Sequence, residues 1–309
     1  MGTRRTTHQG SSLLGTPTRS FIAELGYAAG VSRVHEITGF AIRIAREAGQ
    51  IAMIGFRDPN LSVAEKQSIH DVVTQLDRTC EEHISGEILA AYPDSTIVGE
   101  EGGSREGDGS LTWYIDPIDG TSNFARGIAM WAVSIGVARD GEIISGVVFD
   151  PVADHLFWAD DRGAFLADSL GGTRPIRSRG ATQPAQATVA MNFPLPRDLV
   201  HLPDLALEQF ARVTREFAQV RMLGSTCITL CWIAAGWIDA TVSFETSPWD
   251  VAAAGFIVRE AGGTFLGFHD GEAQPARGDY LQPHYYAAVP GAHYPTLLEI
   301  MQTQSRRPL

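Results

Sequence analysis

The stretch WYIDPIDGTSNF, residues 113–124, places two aspartates, Asp116 and Asp119, three residues apart at the end of an apolar strand. Asp, Pro and Gly are also the residues of ordinary surface turns, so a solvated turn is one interpretation. The other interpretation is that both carboxylates bind the same cation. The string DPIDG directly after a predicted strand is improbable as a surface turn alone, and the sequence therefore favours the cation site.

Further carboxylates fall where predicted strands end and predicted helices begin. Glu100 and Glu101 follow the strand TIVG, while Asp77 and Asp250 lie in the first turns of two helices. Taken singly, each is typical of a solvated loop or of a helix start, where the helix dipole favours an acid. Together they would converge at one sheet edge, where ligands of mixed folds bind. Their repulsion would require a divalent cation, and oxygen ligands without His or Cys select Mg²⁺ or Mn²⁺.

The composition is that of a globular protein with an acidic surface. The 309 residues are 44% hydrophobic and 19% charged, with a net charge of −12 and a pI near 5.2. This charge argues against nucleic acid or an anionic membrane as the main partner, and no apolar run reaches the roughly 18 residues that span a bilayer. Three cysteines without a metal-site pattern are expected to be buried thiols, which favours a reducing, cytoplasmic location: Cys80, Cys227 and Cys231.

The periodicity divides the chain into a tail and two mixed halves. Residues 1–30 are rich in Thr, Ser, Gly and Arg and are expected to be disordered. Residues 31–175 predict two helices and then a sheet-rich region with an Asp-Gly hairpin, and this half carries most of the candidate ligands. Residues 176–309 predict helices alternating with strands and carry the last aspartate. A flexible connection is expected near residues 170–185.

These motifs make the chain resemble the inositol monophosphatase family of metal-dependent phosphatases. The match rests on GEE (99–101), WYIDPIDGTSNF and WDVAAAGFIVREAGG (249–263) in the expected order, and it extends from about His35 to the C-terminus. The resemblance implies a layered αβαβα sandwich of the α+β or α/β class, commonly assembled as a homodimer. The Mg²⁺ ligands that it implies are four carboxylates and one backbone carbonyl, those of Glu100, Asp116, Asp119, Asp250 and Ile118.

The resemblance also implies a reaction, the hydrolysis of a phosphomonoester by an activated water without a covalent intermediate. Thr121 follows the metal turn, the DPIDG string at residues 116–120, and its hydroxyl would orient that water. Asp77 would pair with this threonine and accept a proton, and Glu100 completes the implied catalytic set. Gly120 would let backbone N–H groups approach the phosphate closely.

Substrate contacts are predicted around the metal turn, at a glycine-led helix start and at one glutamate: Asp119, Gly120, Thr121, Gly224, Ser225, Thr226 and Glu245. In related inositol phosphatases this glutamate lies seven residues before the last metal aspartate. Glu245 lies only five before Asp250, which predicts a shorter loop like that of histidinol-phosphate phosphatases. Lys66 and Glu101 are further candidates near the metal, although a solvated loop lysine is an equally open interpretation of Lys66.

The sequence therefore predicts a Mg²⁺-dependent phosphatase that acts on a small phosphomonoester such as inositol 1-phosphate. Histidinol phosphate, a sugar phosphate, fructose 1,6-bisphosphate and a 3′-phosphonucleotide stay open, because the same motif serves all of them. An inactive family member that acts as a binding module is the alternative from a different class. That alternative predicts a lost metal ligand, whereas every carboxylate of the motif is present.

Overall fold

The structure of the protein, a computed structural model, describes residues 33–61, 63–68, 71–275 and 277–306. The tail predicted for residues 1–30 lies outside these residues. Within them, no helix is both long and apolar enough to cross a bilayer. The three cysteines are buried and form no disulfide, as expected from their spacing.

The helices begin and end at the residues that favour helix termini. Proline lies in the first turn of four of them, where its missing N–H has no intrahelical partner to lose. Gly236, in the left-handed conformation, ends α6. The α-helices of the described residues are α1 Arg33–Gly55, α2 Gln75–Ala91, α3 Thr121–Ala125, α4 Pro196–His201, α5 Pro203–Glu216, α6 Thr226–Ala235, α7 Pro248–Glu260 and α8 Pro295–Gln304.

The strands of the first half form a short hairpin and a larger, mostly antiparallel sheet. Their bounds are β1 Val63–Ser68, β2 Asp71–Thr74, β3 Thr96–Gly99, β4 Gly103–Arg105, β5 Leu111–Asp119, β6 Ala132–Arg139, β7 Glu142–Asp150, β8 His155–Asp160, β9 Gly163–Asp168 and β10 Gly172–Pro175. Strands β1 and β2 pair with each other, and the others form an eight-stranded sheet in the order β10-β9-β8-β7-β6-β5-β3-β4. The predicted hairpin is β6–β7, with Asp140 and Gly141 both at positive φ as a two-residue turn requires.

The strands of the second half form a six-stranded sheet in the order β12-β11-β13-β16-β14-β15. Their bounds are β11 Thr188–Met191, β12 Gln219–Arg221, β13 Ala240–Phe244, β14 Thr264–His269, β15 Glu272–Ala273 and β16 His284–Ala288. Part of the connection expected to be flexible, residues 172–175, is the edge strand β10. This strand pairs antiparallel with β9.

Three apolar cores hold five layers together. Helices α1 and α2 cover one face of the eight-stranded sheet, and α6 and α7 fill the space between the two sheets. Helices α5 and α8 cover the outer face of the six-stranded sheet. The result is the predicted αβαβα arrangement. In its middle, the ends of strands β5 and β13 meet the starts of helices α6 and α7.

Candidate active site

A bulge at the end of β5 explains how two aspartates three residues apart share one side of the sheet. Side chains alternate along a strand, so residues i and i+3 normally point to opposite faces. Here Asp116 pairs with Ser134 and Asp119 with Ala132, so β5 has one residue more than β6 across this step. The extra residue reverses the alternation. Consequently Ile118 packs in the core beneath α1 and α2, while Asp119 reaches α6 on the other side.

Asp116, Asp119 and Asp250 form a compact carboxylate cluster at this bulge. One carboxylate oxygen of each lies within 4.8 Å of the others, and the first two side chains are buried. Burial, reinforced by the charges of Glu100, Asp119 and Asp250, raises the pKa of Asp116 well above its ordinary value. The Glu100 carboxyl also lies within hydrogen-bonding reach of Asp116. The turn after β3 thus brings a fourth predicted ligand to the cluster.

Asp119 is held by the start of α6 rather than by solvent. Its carboxylate accepts hydrogen bonds from the backbone N–H groups of Thr226 and Cys227, at 3.0 and 2.9 Å, and from the Ser225 hydroxyl. Burial raises the pKa of Asp119 to about 6 although these three donors oppose the shift. In this structure the predicted substrate contacts at Ser225 and Thr226 therefore orient a predicted metal ligand.

Glycine is required where this helix start meets the metal turn. Gly120 has φ +93°, and a Cβ there would lie 2.9 Å from the Met130 carbonyl oxygen and 3.1 Å from that of Gly224. Asn123 fixes the same junction, because its side-chain amide donates to the carbonyls of Met130 and Leu223, each at 2.8 Å. The turn and the helix start are therefore locked in contact.

Asp77 and Thr121 form a buried pair beside the cluster. The Thr121 hydroxyl lies 3.0 Å from Asp77 Oδ1 and 3.0 Å from the Ile118 carbonyl oxygen, and its one proton can be donated to either. The other Asp77 oxygen accepts the backbone N–H of Thr74 at 2.9 Å, which caps α2. Burial raises the pKa of Asp77 to about 6 despite these hydrogen bonds, and the nearby charge of Glu101 contributes to the rise.

Asp250 combines both interpretations that the sequence allowed. One of its carboxylate oxygens accepts the Ser247 backbone N–H at 2.7 Å, so it caps α7 as a helix-terminal acid does. The same side chain belongs to the carboxylate cluster. The capping bond fixes the side chain in the direction that the cluster needs.

Glu81 is a residue of this region that the sequence interpretation missed. It is buried on α2, one turn after Asp77, and its two oxygens accept the backbone N–H groups of Glu101 and Gly102 at 2.8 and 2.6 Å. It therefore supports the turn that presents Glu100. Its i+4 spacing from Asp77 placed both acids on one helix face and was the available signal.

A cavity of about 220 Å³ opens next to Asp119, between α6 and the six-stranded sheet. Hydroxyl-bearing residues dominate its wall, which is formed by Asp119, Met191, Asn192, Leu223, Gly224, Ser225, Thr226, Thr229, Thr241, Ser243 and Tyr285. Glu245 is not part of this wall. It follows the end of β13 at positive φ, its side chain is 41% exposed, and its carboxylate pairs with the Arg197 guanidinium. Ser243 occupies the position seven residues before Asp250.

The remaining candidates are placed as follows. Glu101 follows Glu100 in the same turn, with its backbone N–H bound to Glu81. Lys66 is on strand β1 rather than in a loop, and its side chain lies outside the described part of the structure.

The fold and the site together define a two-sheet α/β protein with a buried, oxygen-only cluster suited to a divalent cation. Comparison with known proteins agrees with this class. The model of the inositol monophosphatase family matches residues 33–306. Nus factor SuhB of Pasteurella multocida is 33% identical over 259 residues, covering 83% of this chain and 92% of that protein.

Two further comparisons give the same result. The fructose-1,6-bisphosphatase/inositol-1-monophosphatase of Aquifex aeolicus is 36% identical, over 72% of this chain and 81% of its own length. The solved structure of an IMPase from Thermotoga maritima matches with a TM-score of 0.73 and 26% identity, over 87% of this chain and 97% of that one. The chain therefore belongs to the inositol monophosphatase family. Its family and relatives support a phosphatase, as the sequence predicted.

Proposed function

We propose that the protein is a Mg²⁺-dependent phosphomonoesterase that releases inorganic phosphate from a small phosphorylated alcohol. The observation that carries the proposal is the buried cluster in which Asp116, Asp119 and Asp250 bring carboxylate oxygens within 4.8 Å of one another. Buried acids so close together repel each other strongly unless they are protonated or bind a cation. Such an arrangement is expected at a metal site and has no evident structural advantage.

The donor set fits a hard divalent cation. It consists of oxygens only, from Glu100, Asp116, Asp119 and Asp250 together with the Ile118 carbonyl, which favours Mg²⁺ or Mn²⁺ over zinc. The pKa of Asp116 is raised, first by burial and then by its acidic neighbours. A bound cation would offset both effects. When bound, the metal would neutralise phosphate charge and acidify a water molecule.

The protein's own residues supply the proton acceptor and the orientation of the reactants. Thr121 presents one hydroxyl between Asp77 and the Ile118 carbonyl. When that proton is donated to Asp77, a lone pair of the threonine oxygen is free to accept a hydrogen bond from the attacking water. Asp77, with a pKa of about 6, is mostly ionised at neutral pH and can receive the proton through this pair. The αL turn at Gly120 leaves backbone N–H groups of α3 open to an anion.

The site bears on two alternatives to this proposal: a binding module without activity, and a different phosphorylated substrate. A binding module without activity is suggested by the name Nus factor that some relatives carry, but this chain retains the carboxylates and the Thr121–Asp77 pair.

Among substrates, inositol 1-phosphate and histidinol phosphate are the leading candidates, with sugar phosphates, fructose 1,6-bisphosphate and 3′-phosphonucleotides behind them. The homodimer, the absence of nucleic-acid partners and the cytoplasmic location stay predictions.

The test is phosphate release from a panel of these compounds by the full chain, with Mg²⁺ and with EDTA. The proposal predicts turnover of at least one monophosphate that is lost with EDTA and restored by added Mg²⁺. Absence of turnover on every compound would contradict the enzyme and favour the binding module. Turnover that is unchanged in EDTA would contradict the metal.

A further inference from the structure

Arg57, the second residue after α1, adopts a backbone conformation that is unfavourable for its side chain. Its φ is +67°, in the left-handed region where helices commonly end on glycine. A residue with a Cβ is strained there, so an arginine at this position needs compensating contacts. The side chain supplies them by reaching from the end of α1 to the loop that follows α3.

Two contacts of the Arg57 side chain join α1 to that loop. Its Nε donates a hydrogen bond to the Gly127 carbonyl at 2.9 Å, and its guanidinium lies 4.9 Å from the centre of the Phe56 ring. Gly127 has φ +71°, and a Cβ there would lie 3.0 Å from Arg57 Cγ. The strained arginine and the glycine therefore form one closely matched junction.

The Phe56 ring under the guanidinium connects this junction to the core beneath α3. It packs against Phe124 and Trp131, each at a centroid distance of 5.6 Å. Those two rings are fully buried and meet edge to face at 4.9 Å. Because aromatic pairs have preferred geometries, the three rings together fix the rotation of the helix that carries Phe124.

Helix α3 has only five residues, so its orientation depends on the contacts around it. Phe124 lies one turn after Thr121, and both side chains are on the buried side of the helix. Asn123 ties α3 to the segment before α6, and Arg57 ties the other end of α3 to α1. With both ties in place, the Thr121 hydroxyl lies 3.0 Å from Asp77 Oδ1. The direction of this hydroxyl thus depends on a contact at the far end of its helix.

We infer that Arg57 is a positioning residue: by holding the end of α3 against α1, it sets the direction in which Thr121 presents its hydroxyl to the attacking water. This role rests on the proposed function, since it concerns the proposed water-orienting threonine. The contacts of Arg57 are with Gly127 and Phe56 rather than with the clustered carboxylates. Loss of the side chain should therefore lower kcat and leave KM and the affinity for Mg²⁺ unchanged.

The experiment measures kcat and KM of Arg57→Ala and Arg57→Gly at saturating Mg²⁺, on the monophosphate that the unmodified chain hydrolyses fastest. Both variants should lose about five- to twentyfold in kcat, with KM within about twofold of the parent value. Arg57→Gly should melt at a higher temperature than Arg57→Ala, because glycine adopts φ +67° without strain. A kcat that recovers together with the melting temperature in Arg57→Gly would make Arg57 a residue of stability alone and overturn the inference.

Arg57→Gln tests the hydrogen bond to Gly127. Glutamine places an amide N–H at the position of the arginine Nε, so it should retain at least about half of the parent's kcat. In a Thr121→Val background, Arg57→Gly should lower kcat by less than about twofold, because the two residues act in the same step. A full additional loss in that background, or a defect in Arg57→Gln equal to that in Arg57→Gly, would overturn the inference.

The matched control is Arg46→Ala, which removes another α1 guanidinium that lies over a phenylalanine, 5.2 Å from the centre of the Phe149 ring. It should leave kcat and KM unchanged. The Mg²⁺ concentration that gives half of the maximal rise in melting temperature should be the same in Arg57→Gly and in the parent. A shift in that concentration would place Arg57 among the supports of the metal and overturn the inference.

Failure of this inference and failure of the proposed function give different results. An unchanged kcat in both Arg57→Ala and Arg57→Gly would overturn the positioning role while the phosphatase stands. Absence of phosphate release by the parent from every compound of the panel would overturn the proposed function and, with it, the role of Arg57.

Discussion

The ends of β5 and β13 face each other across the middle layer, and they differ in how firmly their polar groups are bound. At the end of β5, Asp119 accepts three hydrogen bonds and Thr121 lies between two acceptors, so each side chain is fixed before any ligand arrives. At the end of β13, Ser243 lies opposite Tyr285 on β16, and the Glu245 carboxylate pairs with Arg197. A fixed region suits the chemistry shared by a family, and an open one suits the choice of substrate. Substitutions at β5 should therefore affect all substrates alike, and those at β13 should discriminate among them.

Asp116→Asn should have the largest effect at the β5 end. It removes one charge from the cluster without changing the volume of the side chain, and we expect kcat to fall at least about 10³-fold on every substrate. The metal-free variant should melt at a higher temperature than the metal-free parent, because a buried repulsion is lost. Phosphate release and melting curves in EDTA measure the two effects. Asp108→Asn, at an exposed loop position, is the control, and activity retained in Asp116→Asn would show that the cation binds elsewhere.

Thr121→Val tests whether the Asp77 pair acts in the chemical step. Valine keeps the shape of the side chain but removes the hydroxyl, so we expect a loss of about 10²-fold in kcat, equal for all substrates, with little change in KM. Thr79→Val, which removes an exposed hydroxyl of α2, should retain full activity. A defect confined to one substrate would place Thr121 with the specificity residues and remove the distinction between the two strand ends.

Glu81→Gln should weaken the binding of the metal rather than the binding of the substrate. The glutamine amide can accept only one of the two N–H groups that Glu81 now binds, and the turn that presents Glu100 would lose part of its support. Outer-shell changes of this kind lower metal affinity about 10- to 100-fold. The measurement is the Mg²⁺ concentration that gives half of the maximal rise in melting temperature. Glu82→Gln, its exposed neighbour, should leave that concentration unchanged, and an equal shift in both variants would make the effect one of general charge.

The contrast between the ends of β5 and β13 also explains which features the sequence could predict. The clustered carboxylates Asp116, Asp119 and Asp250 lie in local motifs, which is why the sequence predicts them as ligands, and the layer order is what the family resemblance implies. The bulge was not predicted, since one extra residue in β5 is defined only by its pairing with β6. The contact between Asp119 and Ser225 joins residues 106 apart, which propensity and spacing do not describe.

At the β13 end, the substrate contact at Glu245 stays a prediction. This glutamate lies five residues before Asp250, which predicts a shorter loop. The position seven residues before Asp250 is Ser243, which the structure places on β13. Strand alternation then places Ser243 on the face of β13 that carries Thr241. The sequence did not indicate that Arg197, on α4, pairs with Glu245. This ion pair explains the outward direction of the Glu245 side chain.

The smallest expected effect concerns stability at the β13 end. His284 is buried under Glu245, and burial, followed by the charges of Arg197 and His269, lowers the pKa of His284 to about 4. Because the folded pKa lies below the ordinary value of 6.5, the unfolded chain binds a proton first as the pH falls. His284 therefore costs no stability above pH 6.5, and up to about 3 kcal/mol of unfolding free energy is lost between pH 6.5 and 4.

His284→Asn keeps an acceptor for the Glu245 N–H but cannot take up a proton in this range. Urea unfolding of the metal-free chain at pH 7 and at pH 4.5 should show a smaller loss of stability in this variant than in the parent. His293→Asn, which removes an exposed imidazole, should keep the parent's pH dependence. The carboxylates at the β5 end change stability in the opposite direction, since their raised pKa values favour the folded state as the pH falls. The parent could instead gain stability throughout this range and not differ from His284→Asn. In that case the β13 end would contribute nothing to acid sensitivity, and the β5 carboxylates alone would set it.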